Sequence, residues 1–294
     1  MAKEVPLVSN RTTVHQRLMG QAKQKANARQ RLLLQHPRCI YCGAPATTTD
    51  HCPPRCVFVG RQWPETYEFA ACKPCNDEAR LDEQAIGVLV RLKLSETQSV
   101  PARNEWRRLF RGVMNNQPAL VQEWMSMSAN ERRRALREAF GREGDFMRQA
   151  GWGSIHFGDL THALVWRFMI KLAKALYYRH NGKVFEGVIY TRHISLLVRD
   201  STPGFIQNIL SGAPAVSEAM RSNRPLTDQF IYRFNHSPEH GVLYAVVQFS
   251  EQFIFQLIVL SWDMADYLAE VARANNMDIW DTPRYEFRLN RGAS

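Results

Sequence analysis

The chain has 294 residues, 45% of them hydrophobic, and a formal net charge of +10. That apolar share is enough for a globular core and excludes a disordered or low-complexity protein. The longest apolar runs, near 163–170 and 253–260, are too short to cross a bilayer, and residues 1–5 lack the apolar stretch of a secretory signal, so a cytoplasmic protein with no membrane partner is expected.

Residues 1–38 carry eight Lys/Arg against one acid, a net +7. A helix is expected over 10–35, with Val14, Leu18, Ala22, Ala26 and Leu33 on one face and Pro37 as its stop. Arg17, Lys23, Lys25, Arg29 and Arg31 crowd the rest of its surface, as a helix laid along a phosphate backbone would require. A solvated basic face has the same composition.

Residues 38–77 hold all six cysteines. Cys39 and Cys42 form one Cys-x-x-Cys knuckle, with Gly43 free to turn beneath the sulfurs, and Cys72 and Cys75 form the other. Two such pairs about thirty residues apart, in a chain without a secretory signal, read as a closed four-thiolate site for structural Zn2+. Cys52 and Cys56 are surplus and read as free thiols, with Cys56 a lesser candidate for the metal. Between the knuckles, Thr47-Thr48-Thr49 has strand character and leads into Asp50-His51. Pro53-Pro54 forces an extended segment, and 67–71 can return as a second strand. From Asn76 the pattern turns helical, with Leu81, Ala85, Val88, Leu89 and Leu92 on a buried face. This stretch, 39–90, is net −3, the one acidic segment of the basic front half.

Residues 91–148 are net +5 and helical in pattern. Pro101 opens one helix, Pro118 a second, and Ser128 with Glu131 makes a capping box for a third that bears Arg132, Arg133 and Arg137. These arginines are candidate nucleic-acid contacts. Gly151-Trp152-Gly153 reads as a hinge. Beyond it, Asp159 is expected to cap an apolar helix over 160–178, closed by Asn181-Gly182. Strands are expected at 187–190, 229–234, 242–249 and 253–260, forming an antiparallel meander under that helix, and a last helix at 262–274.

The order Cys39-Ile40-Tyr41-Cys42, Asp50-His51 and Cys72-Lys73-Pro74-Cys75-Asn76 resembles the cysteine-bearing branch of the HNH endonucleases. Asp50-His51-Cys52-Pro53-Pro54 and Asp82-Glu83 add to the likeness, which covers roughly 36–90. The resemblance implies a ββα-metal finger in which His51 is the general base and Asp50 and Asn76 hold a catalytic Mg2+ or Mn2+. It implies DNA as the substrate, with RNA an open alternative. The family's central Asn is missing: none occurs between His51 and Asn76, and Glu65-Thr66-Tyr67 stands in that region.

The expected fold is therefore α+β. A basic helix (1–37) precedes a zinc-stabilised ββα-metal finger (38–90). A basic helical region (91–150) and a domain of antiparallel sheet packed on helices (151–294) follow. The last is the expected surface for self-association or a protein partner. Two other functions fit the same residues: a noncatalytic zinc-dependent nucleic-acid-binding module, or a nuclease subunit gated by a partner in a larger complex.

Overall fold

A computed structural model describes residues 23–24, 26–92, 99–140, 155–195, 203–250, 253–275 and 284–287. Arg17, Lys25, most of the N-terminal helix and the 151–153 hinge lie outside them. Among the described residues, no helix is long and apolar enough to cross a membrane.

Residues 26–35 form helix α1. Strand β1 (Thr48–His51) pairs antiparallel with β2 (Glu68–Ala71), Asp50 opposite Phe69 and His51 opposite Glu68. Helix α2 (Lys73–Val90) follows directly, with Cys72 extended at its N-cap and Pro74 in its first turn. It begins three residues before the expected start. Proline's fixed φ suits a first helical turn and carries the helix back through the second knuckle. Its C-terminal half buries Ala85, Ile86, Val88, Leu89 and Val90.

Helix α3 (Val100–Asn116) is capped by Ser99, whose side chain accepts from Ala102 N, and α4 (Pro118–Trp124) and α5 (Ala129–Phe140) follow. The capping box of α5 is present: Ser128 N donates to the Glu131 carboxylate, and Glu131 N to Ser128 Oγ. Helix α6 (Asp159–Asn181) is the central apolar rod, ended by Gly182 at φ 66°. Asp159 does not cap it. Glu123, from α4, instead accepts from the free N–H groups of Leu160 and Thr161, both at 2.9 Å.

The sheet has six antiparallel strands in the order β10-β3-β9-β8-β7-β4. They are β3 (Gly187–Ser195), β4 (Ala215–Glu218), β7 (Phe230–Ser237), β8 (Val242–Phe249), β9 (Phe253–Leu260) and β10 (Arg284–Phe287). The meander β7-β8-β9 and helix α8 (Trp262–Ala274) lie where expected. Helix α7 (Pro203–Ser211), the hairpin of β5 (Met220–Arg221) and β6 (Arg224–Pro225), and strands β4 and β10 were not foreseen.

Strand alternation sorts the sheet's residues. Leu243, Ala245, Val247, Phe255, Leu257 and Val259 face α6, whereas Val188, Tyr190, Val246 and Leu260 face α7 and α8. The core under α6 continues without a break into the knuckle region, through Ile40, Tyr41, Phe69 and Ala71. The ββα unit and the sheet are thus two ends of one apolar interior.

One histidine in that interior carries an acid sensitivity. His193 lies between Phe157 and Phe253, ring centroids 5.9 and 4.9 Å away, and its Nε2 has no hydrogen-bond partner among the described residues. Burial, with a smaller push from His162, lowers its pKa to about 4. A depressed histidine stabilises the fold above its unfolded pKa and loses that stability as pH falls. Urea unfolding at pH 7 and 4.5 is expected to show a loss roughly 2–3 kcal/mol larger for wild type than for His193→Phe. Parallel pH dependence of the two proteins would remove His193 as the cause.

Candidate functional site

The four sulfurs of Cys39, Cys42, Cys72 and Cys75 all lie within 4.8 Å of one another. Cys42 Sγ and Cys72 Sγ are 3.7 Å apart. A tetrahedral zinc with bonds of about 2.3 Å needs sulfurs about 3.8 Å apart, so the donor set fits that ion. The first knuckle is shaped by Gly43, at φ 75°, whose N–H donates to Cys39 O, and by Cys39 N donating to Ala44 O. The second sits at the N-terminus of α2, where Lys73 N donates to Thr47 Oγ1 at 3.2 Å and ties the knuckle to the start of β1. A hydrogen bond between Cys39 and Cys75 lowers the Cys39 thiol and raises that of Cys75. Cys52 and Cys56 stand outside this group. Burial pushes both thiols up, Cys56 to about 12, and Cys56 donates to the Glu83 carbonyl.

Asp50 is 5% exposed. Its Oδ2 accepts from Tyr41 Oη at 2.6 Å and meets Lys171 Nζ, from the middle of α6, at 2.7 Å. The same ammonium bonds Glu83 on α2 and lies 5.1 Å above the Tyr41 ring. Burial works against the charge on Lys171, but the Asp50 and Glu83 carboxylates outweigh it and hold its pKa up. Burial likewise raises Glu83, to about 7. Glu83 and Lys171, with Tyr41, line a cleft of about 290 Å³ between α2 and α6.

Asn76 occupies the first turn of α2. Its Nδ2 donates to Thr49 O at 3.3 Å and lies 3.4 Å from Thr48 Oγ1. Asp50 and Asn76 therefore both belong to the ββα unit, but the Asp50 carboxylate already faces an ammonium and a phenol, and the Asn76 amide already faces β1. So placed, they do not fit a divalent cation.

His51, next along β1, points the other way. It is half-buried, and burial first, then the Arg55 guanidinium, lowers its pKa. Arg55 Nη2 donates to His51 Nε2 at 2.9 Å, which leaves the ring proton on Nδ1. The imidazole meets Trp63 edge-on at 5.8 Å. The guanidiniums of Arg55 and Arg221 both lie over the Trp63 ring, 4.2 and 4.4 Å from its centroid. Sequence reasoning missed Arg55, Trp63, Arg221 and Lys171. A lysine within the buried stripe of an apolar helix is a signal that a carboxylate waits opposite. Nothing local marks Arg221, which arrives from 170 positions downstream of His51.

Of the basic residues, Lys23, which precedes α1, and Arg31 on α1 are exposed, and Arg29 donates to Thr47 O, just before β1. On α5, Arg133 and Arg137 are exposed and Arg132 is half-buried. Comparison with family models, curated proteins and solved structures finds no match.

Proposed function

We propose that this chain is an HNH-type endonuclease hydrolysing phosphodiester bonds in DNA, built on a zinc-stabilised ββα-metal finger with His51 as general base. The observation that supports it most is the setting of His51. Its imidazole sits at the surface end of β1, is held toward its neutral form, and has two guanidiniums beside it on one indole. A scissile phosphate drawn onto Arg55 takes the donor that now occupies Nε2. The freed Nε2 lone pair accepts a proton from the attacking water as its oxygen bonds to phosphorus. The P–O bond to the leaving group breaks, and the leaving oxygen takes a proton from solvent. The guanidiniums face the charge that grows on the phosphoryl oxygens. Lys23 and helices α1 and α5, with Arg29 and Arg31 on one and Arg132, Arg133 and Arg137 on the other, supply further cations for the flanking backbone. The resemblance also implies Mg2+ or Mn2+ on Asp50 and Asn76, but Asp50 is paired with Lys171 and the Asn76 amide with β1.

Plasmid nicking, assayed with magnesium, with manganese and with chelator, is expected to fall about 10²–10⁴-fold in His51→Ala. Because its pKa is lowered, the base stays unprotonated at and below the ordinary imidazole range. The rate is therefore expected to hold from pH 8 to 6.5 and to decline only at more acid pH. Equal nicking by wild type and His51→Ala would sink the assignment. A noncatalytic zinc-dependent nucleic-acid-binding module is the second reading, favoured by the engagement of Asp50 with Lys171. DNA binding without cleavage under every metal condition is its signature.

A further inference from the structure

We infer that the β5–β6 hairpin of the sheet half completes the His51 site, and that Arg221 is a binding residue for a DNA phosphate, paired with Arg55 across Trp63. The inference deepens the nuclease reading and rests on it for the identity of the ligand. The hairpin reverses at Ser222 and Asn223, with φ of 49° and 60°. Two positive φ values in succession give a tight two-residue turn whose twist matches its strands. The tip is docked, not loose. Glu65 N donates to Met220 O at 2.9 Å, Ser222 N donates to Glu65 Oε1 at 3.1 Å, and Arg221 Nη1 donates to Trp63 O at 2.9 Å. Glu65 stands in the region where the family's central Asn is missing. Its carboxylate fixes the loop carrying Trp63 to a hairpin more than 150 residues downstream.

Charge points the same way. Two guanidiniums on one ring repel each other, and a phosphate between or above them relieves that repulsion. Arg224, opposite Arg221 in register, adds a third cation on the exposed side of the hairpin. Of the described carboxylates, Glu68 at the rim and the buried Asp50 act on His51, and Glu65 is engaged by Ser222 N at the hairpin tip. Arg221 keeps donors beyond the one given to Trp63 O, and a guanidinium can hold a phosphate while stacked on indole.

The test is binding of a fluorescent DNA duplex by anisotropy across a salt series, beside plasmid nicking, for the whole chain and its variants. Arg221→Gln removes the charge but keeps an N–H for the Trp63 carbonyl, so the docked hairpin survives. A thermal melt matching wild type verifies this. Arg221→Gln is expected to weaken binding about five- to tenfold and to reduce the salt slope by about one. Arg273→Ala, an exposed arginine on α8, is expected to leave both unchanged. An unaltered affinity and slope in Arg221→Gln overturns the inference, and so does a wild-type chain that binds no DNA at 50 mM salt. The two readings separate cleanly. A wild type that nicks, with Arg221→Gln indistinguishable from it, defeats the phosphate role of Arg221 and leaves the nuclease standing. A wild type that binds but never nicks, with a reduced slope in Arg221→Gln, upholds the phosphate role and defeats the nuclease.

Discussion

Metal analysis of the purified chain is expected to find about one zinc per molecule, lost in Cys39→Ser and in Cys72→Ser and retained in Cys56→Ser. The first two variants remove sulfurs from the four-thiol group, whereas Cys56 lies apart and donates to Glu83 O. The thermodynamic effect should be large because metal binding free energy is folding free energy at such a site. It should also be global. Ile40 and Tyr41, inside the first knuckle, belong to the same buried cluster as Phe168, Met169 and Leu172 of α6 and the inner face of the sheet. Opening the knuckles would expose one flank of α6 and with it the strands beneath. The expected cost is on the order of 5–10 kcal/mol, read as a fall in unfolding midpoint when a strong chelator is added. A chain that melts identically with and without chelator, and carries no zinc, would refute the structural metal.

The second large effect is expected at Lys171. Replacing it by Met removes the ammonium shared by Asp50 and Glu83 and leaves two carboxylates in a buried setting. Loss of one partner from a buried charge group costs about 3–5 kcal/mol, chiefly because the charges left behind are uncompensated. The loss should be greatest above neutral pH and shrink as pH falls, since Glu83, already raised to about 7, takes up a proton that replaces the missing cation. Replacing the whole group, Asp50→Asn with Lys171→Met and Glu83→Gln, should recover most of the stability. Urea unfolding at pH 6 and pH 8 measures each of these terms. A Lys171→Met loss below about 1 kcal/mol at pH 8 would mean that the triad is not the buried charge group the structure shows.

How much of this was legible beforehand depended on distance along the chain. The knuckles, β1, β2, the capping box at Ser128 and the β7-β8-β9 meander were all readable, because each is written in a local rule of spacing, alternation or cap chemistry. The start of α2 before Asn76 is not legible in the sequence, because the Cys72–Cys75 spacing signals a knuckle, which a helix beginning at Lys73 with Pro74 in its first turn satisfies equally well. The N-cap of α6 was assigned to Asp159 because sequence offers only neighbours, while the group that satisfies those N–H donors is Glu123. Strands β4, β5, β6 and β10 are two to four residues long and carry too few alternations to register. For the site, residue identities on β1 and at the start of α2 could be picked out, but not their partners. That Asp50 meets Lys171, and that His51 shares Trp63 with Arg221, are facts of tertiary contact.

The cap on α6 has a consequence for register. Glu123 fixes the first turn of the rod at Thr161, and Lys171 stands ten residues on, about 15 Å up the axis. The helix thus acts as a measuring stick that sets an ammonium at a given height and bearing over Asp50. Each residue of α6 turns the rod by about 100°. One residue added or deleted between Thr161 and Lys171 would swing the ammonium away from both carboxylates and carry with it Lys174 and Arg179, which bond Tyr41 O and Thr66 O. The span between the cap and the charge is therefore fixed in length, while the bare surface of the same helix is free to vary in composition.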